Sequence, residues 1–379
     1  MTGNIPQKRV FFENLDGLRF FCVLSVFLYH SFYTTSEVIK SGKIYQFVKF
    51  GLFGNGNLGV NFFFVLSGFL ISYLLIEEKK LNGKINLPYF WIRRILRIWP
   101  LYFFCVVFGF VIMPWIKSLF GEHSTETADP FYYLTFLSNF DVIRNGLPDA
   151  SILGVLWSVS IEEQFYLLWP LILAFTPLKR VWIWFVFVVG ASVCFRALND
   201  TYILREIHTF SCMGDLAIGA LGAWLIHFAE NFKLFFIKLD KWQAATLYIL
   251  VVVVFFFRDN ILMGSYFLRI FERPLIAILF LCVILEQSYA ERSLFKLSRF
   301  TLISRLGVIS YGQYCLHFIA ILVVIKTTQA FAINKELWQI IFLETPFALA
   351  LTIFLSIMSY RFFEGPFLKL KSKFSFITK

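Results

Sequence analysis

Arg19 and His30 stand eleven positions apart in a mostly apolar run, DGLRFFCVLSVFLYH (16–30). At 3.6 residues per turn that is just over three turns, so the two side chains share a helix face, about 16 Å apart along the axis, with Asp16 on nearly the same face. An imidazole changes charge near neutrality and suits general-base work on a hydroxyl. A histidine at that depth also suits the headgroup region; its alignment with Asp16 and Arg19 favours a functional role. A second stretch, LWSVSIEEQFYLLWP (156–170), puts Glu162 and Glu163 in the same depth range, with Tyr166 a further candidate. Ser160-x-x-Glu163 matches a capping box, which accounts for Glu163 at a helix start but not for Glu162. In PYFWIRRILRIWPLY (88–102), Arg93, Arg94 and Arg97 precede an apolar run. Arg94 and Arg97 share a face. Guanidinium groups there bind phosphates bidentately, or anchor a span at the inner headgroups. LGVISYGQYCLHFIA (306–320) adds Tyr311, Tyr314 and His317, the last two on one face. A lone histidine in a span also serves simply to satisfy a neighbouring helix. Asp215 and Glu344 are further buried acids with no role attached.

The elements that must position these residues are membrane spans. Of 379 residues, 59% are hydrophobic, 20% aromatic and only 16% charged, a balance that excludes an ordinary soluble domain. About 20 apolar residues cross a bilayer, which gives an all-α, polytopic reading with about ten spans: 17–35, 57–76, 98–116, 157–175, 179–197, 209–229, 242–258, 271–289, 305–326 and 337–360. An even number puts both termini on one side. Lys and Arg number 22 on that side and 12 on the other, with Arg19 inside the first span, so the positive-inside rule makes the termini cytoplasmic. The net charge of +11 is then chiefly an orientation signal, and nucleic acid is not an expected partner; the basic tail KLKSKFSFITK is read the same way. No cleavable signal peptide is read at the start. FYYLTFLSNF, in the acidic outer loop 117–156, is too short to span and reads as interfacial or re-entrant. The small residues of GDLAIGALGAW (214–224) predict close helix packing. No two cysteines have CxxC spacing, so buried free thiols are expected, with no metal site. Residues 1–379 form a single membrane domain in this reading.

At these residues the chain resembles the acyltransferase 3 family of integral membrane O-acyltransferases, over nearly its whole length. The elements are LDGLR with the Arg19-x10-His30 frame, GVNFFFVLSGFLISY (59–73), the Arg94-x-x-Arg97-x-x-Pro100 pattern, LWSVSIEEQFYLLWP, ISYGQYCLH and YRFFEGPFLK, in family order. Two positions depart: Asn61 stands where the family often has an acid, and Gly365 replaces the usual residue of the last element. The reading takes this as the stand-alone form, without a following extracytoplasmic hydrolase-like domain.

The resemblance implies transfer of an acyl group, usually acetyl from coenzyme A, to a hydroxyl of a surface saccharide, lipopolysaccharide or lipid-linked glycan, in the inner (plasma) membrane and among its lipids. In that scheme Arg94 and Arg97, with Arg93 and Arg19, hold the phosphates of cytoplasmic acyl-CoA. The CoA is a substrate, and no permanently bound cofactor is expected. His30 acts as the base, oriented by Glu162 or Glu163 as a carboxylate orients a triad histidine; an acyl-His30 intermediate is the rival route. The alternative class is a carrier or exporter of a polar lipid or saccharide, which predicts inverted repeats that the sequence lacks.

Overall fold

A computed structural model describes residues 8–9, 12–119, 121–374 and 377–378. Apart from a two-residue parallel pairing of Lys8–Arg9 with Ile377–Thr378, which sets the two ends of the chain side by side, the described residues are helical or loop. The longest helices are α1 (Glu13–His30), α2 (Leu58–Asn82), α3 (Leu87–Val107), α4 (Leu156–Phe175), α5 (Trp182–Leu198), α6 (Thr209–Phe228), α7 (Lys241–Leu262), α8 (Tyr266–Tyr289), α9 (Ser310–Ala330) and α10 (Thr345–Met358).

Each falls on one of the ten apolar segments read from the sequence, but among the described residues six helical stretches are both long and apolar enough to cross a membrane: Leu58–Asn82, Leu87–Leu119, Tyr202–Phe228, Lys241–Leu262, Ser310–Ala330 and Leu337–Phe374. The difference has a physical source. Helix α5 has only 17 residues. Helices α1, α4 and α8 are 18, 20 and 24 residues long, but they carry the ionisable and amide side chains that lower mean hydropathy, among them Arg19, Glu162, Glu163 and Arg273. The chain is therefore a multi-pass, all-helical membrane protein.

Local chemistry moves several boundaries. Helix α1 ends at His30, not at 35, because the Ser31 hydroxyl donates back to the Phe27 carbonyl at 2.7 Å and Phe32 takes a left-handed backbone, φ 64°. His30 is thus the last residue of its helix. Helix α3 begins at Leu87, capped by the Asn86 side chain accepting from the Tyr89 amide, so Arg93, Arg94 and Arg97 lie inside the helix and not ahead of it. The capping box at Ser160 does not form. Helix α4 starts four residues earlier at Leu156, and the buried Ser160 hydroxyl instead meets that of Ser138 at 2.7 Å.

Packing follows the small residues of 214–224. A Cβ on Gly219 would sit 2.0 Å from the Val65 carbonyl oxygen, and one on Gly68 would sit 1.9 Å from that of Leu216, so α2 and α6 cross with their backbones in contact. Helix α7 packs on α8 and leaves Ile249, Val252 and Phe257 outward, the composition expected of a lipid-facing surface. The short helices Pro130–Leu134 and Ser138–Asn145 and the turn between them fold into the bundle: Tyr102 Oη donates to the Tyr133 carbonyl at 2.8 Å and Gln164 Nε2 to that of Phe136 at 2.9 Å. All six cysteines are free; Cys194, on α5, is exposed, against the expectation of burial.

Candidate functional site

Helices α1, α2, α3, α4 and α9, with the C-terminal segment, enclose a cavity of about 400 Å³, within the usual range for small-molecule sites. Asp16, Arg19, Arg93, Arg94, Arg97, Glu162, Tyr166, Tyr311 and Tyr314 all line it, so most of the residues singled out in the sequence converge there. Two of its arginines are paired: Arg19 with Asp16, three residues away on α1, and Arg93 Nη2 with Glu78 Oε2 at 3.2 Å. Arg94 and Arg97 have no hydrogen-bonded carboxylate among the described residues; Arg94 lies 5.5 Å from the ring centres of Phe90 and Tyr166. Two half-buried cations outside any ion pair on one cavity wall suit an anionic ligand.

The carboxylates are held separately. Glu162 Oε1 accepts from Ser67 Oγ at 2.9 Å and Oε2 from Tyr166 Oη at 2.8 Å, which keeps the group at the cavity wall. Glu163 Oε2 accepts from Trp99 Nε1 at 3.0 Å, while its buried Oε1 has no hydrogen-bond partner among the described residues. Glu163 does not line the cavity.

His30 meets neither glutamate in a hydrogen bond. Its Nδ1 lies 3.0 Å from His317 Nε2, and the two rings stack at 5.1 Å between centres. His317 Nδ1 is 2.6 Å from the Tyr314 carbonyl oxygen. A carbonyl only accepts, so His317 Nδ1 carries the hydrogen. In the neutral pair His317 Nε2 then accepts from His30 Nδ1–H, and His30 Nε2 is left as the basic nitrogen. The hydrogen-bond partner of His30 is thus a second imidazole, brought in by α9 from 287 positions away, where the sequence reading expected Glu162 or Glu163.

Tyr314 joins the two parts of the site. Its side chain lines the cavity, with its hydroxyl 2.6 Å from Ser158 Oγ, and its carbonyl fixes His317. Neither His30 nor His317 lines the cavity itself. Tyr311 lines it too, donating to the Ile98 carbonyl at 2.9 Å. Beyond α1, Lys49 donates to the Tyr29 and Ser31 carbonyls at 2.6 and 2.7 Å, on either side of His30; burial draws its ammonium down to about 8.

Sequence reasoning missed Ser67, Trp99, Ser158, Lys49 and the C-terminal residues Leu368, Lys371 and Ser372 on the cavity wall. It also missed a buried network of Arg196, Arg258 and Arg273 with Glu206, Asp215 and Glu272. The signal for the network was present, since Arg196, Arg258 and Arg273 fall within apolar segments. Asp215 acquires a partner there, Arg273 Nε at 2.8 Å; Glu344 accepts from Thr328.

Comparison with known proteins bears on what such a site does. The family described as "acyltransferase domain" matches residues 12–361. The peptidoglycan O-acetyltransferase OatA of Listeria monocytogenes is 26% identical over 401 aligned positions, which cover 97% of this chain and 58% of that protein. The O-acetyltransferase OatA of Staphylococcus aureus is 34% identical over 172 residues, 44% of this chain and 25% of its own length. The chain thus spans a little over half the length of the Listeria relative. No solved structure gives a significant match.

Proposed function

The chain belongs to the acyltransferase domain family, and from that premise we propose that it is a membrane O-acetyltransferase, moving an acetyl group from acetyl-CoA to a saccharide hydroxyl. The observation that carries the proposal is the cavity wall with two unmatched guanidinium groups, Arg94 and Arg97, continuous through Tyr314 with the His317–His30 pair. In this reading Arg94 and Arg97, with Arg19 and Arg93, take the phosphates of the donor. The pantetheine arm runs along the cavity past Glu162 and Tyr166 toward Tyr314.

The acceptor hydroxyl gives its proton to His30 Nε2. Its oxygen forms the new C–O bond at the thioester carbonyl carbon, the C–S bond breaks, and the departing thiolate takes the proton from His30. His317 is a positioning residue: by accepting from His30 Nδ1–H it fixes the tautomer and stabilises the charged imidazole, as a carboxylate does in a triad. Glu162 and Glu163 serve the site indirectly, Glu162 as a polar wall group beside the arginines. An acyl group carried briefly on His30 is the competing route.

We place ten crossings, with both termini in the cytoplasm of a cell whose plasma membrane holds the protein, on the excess of Lys and Arg on the terminal side. Donor phosphates then enter from the cytoplasm and the acceptor meets His30 toward the outer face. Peptidoglycan, named for the Listeria relative, heads the acceptors to test, followed by lipid-linked glycans.

The test is purified protein in lipid nanodiscs with labelled acetyl-CoA and muropeptide or lipid-linked glycan acceptors. Labelled ester on the acceptor, abolished in His30→Ala at unchanged protein level, is the expected result. Transfer that survives His30→Ala overturns the role of His30. Acceptor transport with no ester formed overturns the enzyme reading in favour of a carrier.

A further inference from the structure

The wall of the donor cavity includes a segment that charge counting alone assigned to membrane orientation. Beyond the last long helix the chain turns through Ser359–Glu364 into a short helix, Gly365–Lys371, which packs on α3. Leu368, Lys371 and Ser372 then line the same cavity as Arg93, Arg94 and Arg97. The segment is tied down at two points. Arg93 Nη1 donates to the Phe374 carbonyl at 2.7 Å while its Nη2 pairs with Glu78, and the Phe374 ring meets Tyr89 edge-on, 5.4 Å between centres. One arginine therefore joins α2, α3 and the C-terminal segment, and holds a lysine on the cavity wall.

Coenzyme A carries two kinds of phosphate. The bridging diphosphate is a spread of oxygens that suits paired guanidinium forks, and Arg94 and Arg97, three apart on one helix face, offer such a pair. The 3′-phosphate is a compact monoester several bonds away with the greater local charge, and a lysine on a separate element suits it as a point charge. The Ser372 hydroxyl beside that lysine donates to the Lys369 carbonyl at 2.8 Å and becomes a second donor to the phosphate by turning from it.

We propose that the C-terminal segment is part of the donor site, with Lys371 and Ser372 contacting the 3′-phosphate of acyl-CoA and the Arg93–Phe374 bond holding them in place. This rests on the acyl-CoA reading above. It assigns a ligand contact to a segment outside every helix that carries the site's other residues, and it makes the protein selective for CoA over its 3′-dephospho form.

The test is competition against labelled acetyl-CoA by CoA and by 3′-dephospho-CoA, on full-length protein in nanodiscs. Wild type is expected to bind CoA about tenfold more tightly than 3′-dephospho-CoA, the range of one charge-assisted contact. Lys371→Met should lose about that factor for CoA and nothing for the dephospho form, so that the two affinities become equal. Lys373→Met, on an exposed residue of the same segment that does not line the cavity, should keep the wild-type ratio. Should Lys371→Met fail to accumulate, Lys371→Gln carries the same expectation. A wild-type ratio of one, or a ratio unchanged in the Lys371 variants, overturns the contact and leaves the donor reading standing. Absence of any CoA binding by wild type overturns the donor reading itself.

Discussion

Two groups of arginines in this bundle, one buried and one half-buried, are treated in opposite ways. Around α6 and α8, Arg196, Arg258 and Arg273 face Glu206, Asp215 and Glu272, three cations against three acids. Glu272 bridges Arg196 at 2.7 Å and Arg258 at 2.6 Å, while Asp215 and Glu206 take Arg273 and the rest of Arg258. On the cavity wall Arg19 and Arg93 are ion-paired, while among the described residues Arg94 and Arg97 have no hydrogen-bonded carboxylate, only acids at longer range such as Glu162. The matched group balances its charges among its own side chains, though Asp215 Oδ1 and Arg273 Nη2 keep no hydrogen-bond partner among the described residues, and it ties together helices far apart in the chain. The second group leaves two guanidinium groups outside any ion pair among the described residues, on a wall open to an anion. Charge of the first kind holds a fold, and of the second kind reserves a place for a ligand.

The largest effect should come from unmatching the first group. Glu272→Ala leaves two buried guanidinium groups without their shared acid, and breaking such a pair costs about 3–5 kcal/mol. Loss of monodisperse protein and a lowered thermal transition in detergent are the expected readouts. A variant as stable as wild type would erase the distinction between the two groups. Arg97→Ala in the same assay should leave the transition where it is.

Next in size is the imidazole pair. His317→Phe preserves the ring volume but removes the acceptor for His30 Nδ1–H. Turnover should fall about 10²-fold with KM for acetyl-CoA unchanged, and the pH profile of kcat should move with it. An equal fall in affinity would instead make His317 part of the donor site. Smaller again is the loss of one cavity cation. Arg97→Ala should weaken acetyl-CoA binding about tenfold to a hundredfold with kcat at saturation nearly kept. Unchanged affinity would return Arg97 to the headgroup-anchoring role that its position also allows.

These pairings mark where sequence reading stops. Periodicity and charge counting located every long helix, and placed Arg19 and His30 on one face of α1, because both depend only on neighbours along the chain. The glutamate pair looked the natural partner for His30 because it lies at the same depth, but depth does not say which way a helix is turned. In the structure Glu162 turns to Ser67 and Tyr166, Glu163 turns to Trp99, and α9 supplies the partner. Ser160-x-x-Glu163 failed as a cap for a related reason: a helix begins where the preceding backbone turns, and Ile152 and Leu153 already bury the chain there. The family resemblance found the residues; only packing says which of them touch.

Lys49 is a third case and gives the smallest effect. It is a largely buried cation with neither an acid nor a cavity, satisfied by the carbonyls of Tyr29 and Ser31. Burial holds its ammonium at about 8, below the 10.5 of an exposed lysine. Between those two values the unfolded chain binds the proton and the folded one does not, so stability rises with pH across that window. The contribution is complete above about 10.5 and is lost as pH falls through about 8. Thermal transitions of wild type measured from pH 7.5 to 10 should therefore climb relative to Lys49→Met, which has no such group to titrate. Parallel curves would mean that the two carbonyls and water compensate the ammonium in full, as a paired acid would. A climb confined to wild type would establish the intermediate case, a cation whose burial the carbonyls of Tyr29 and Ser31 offset only in part.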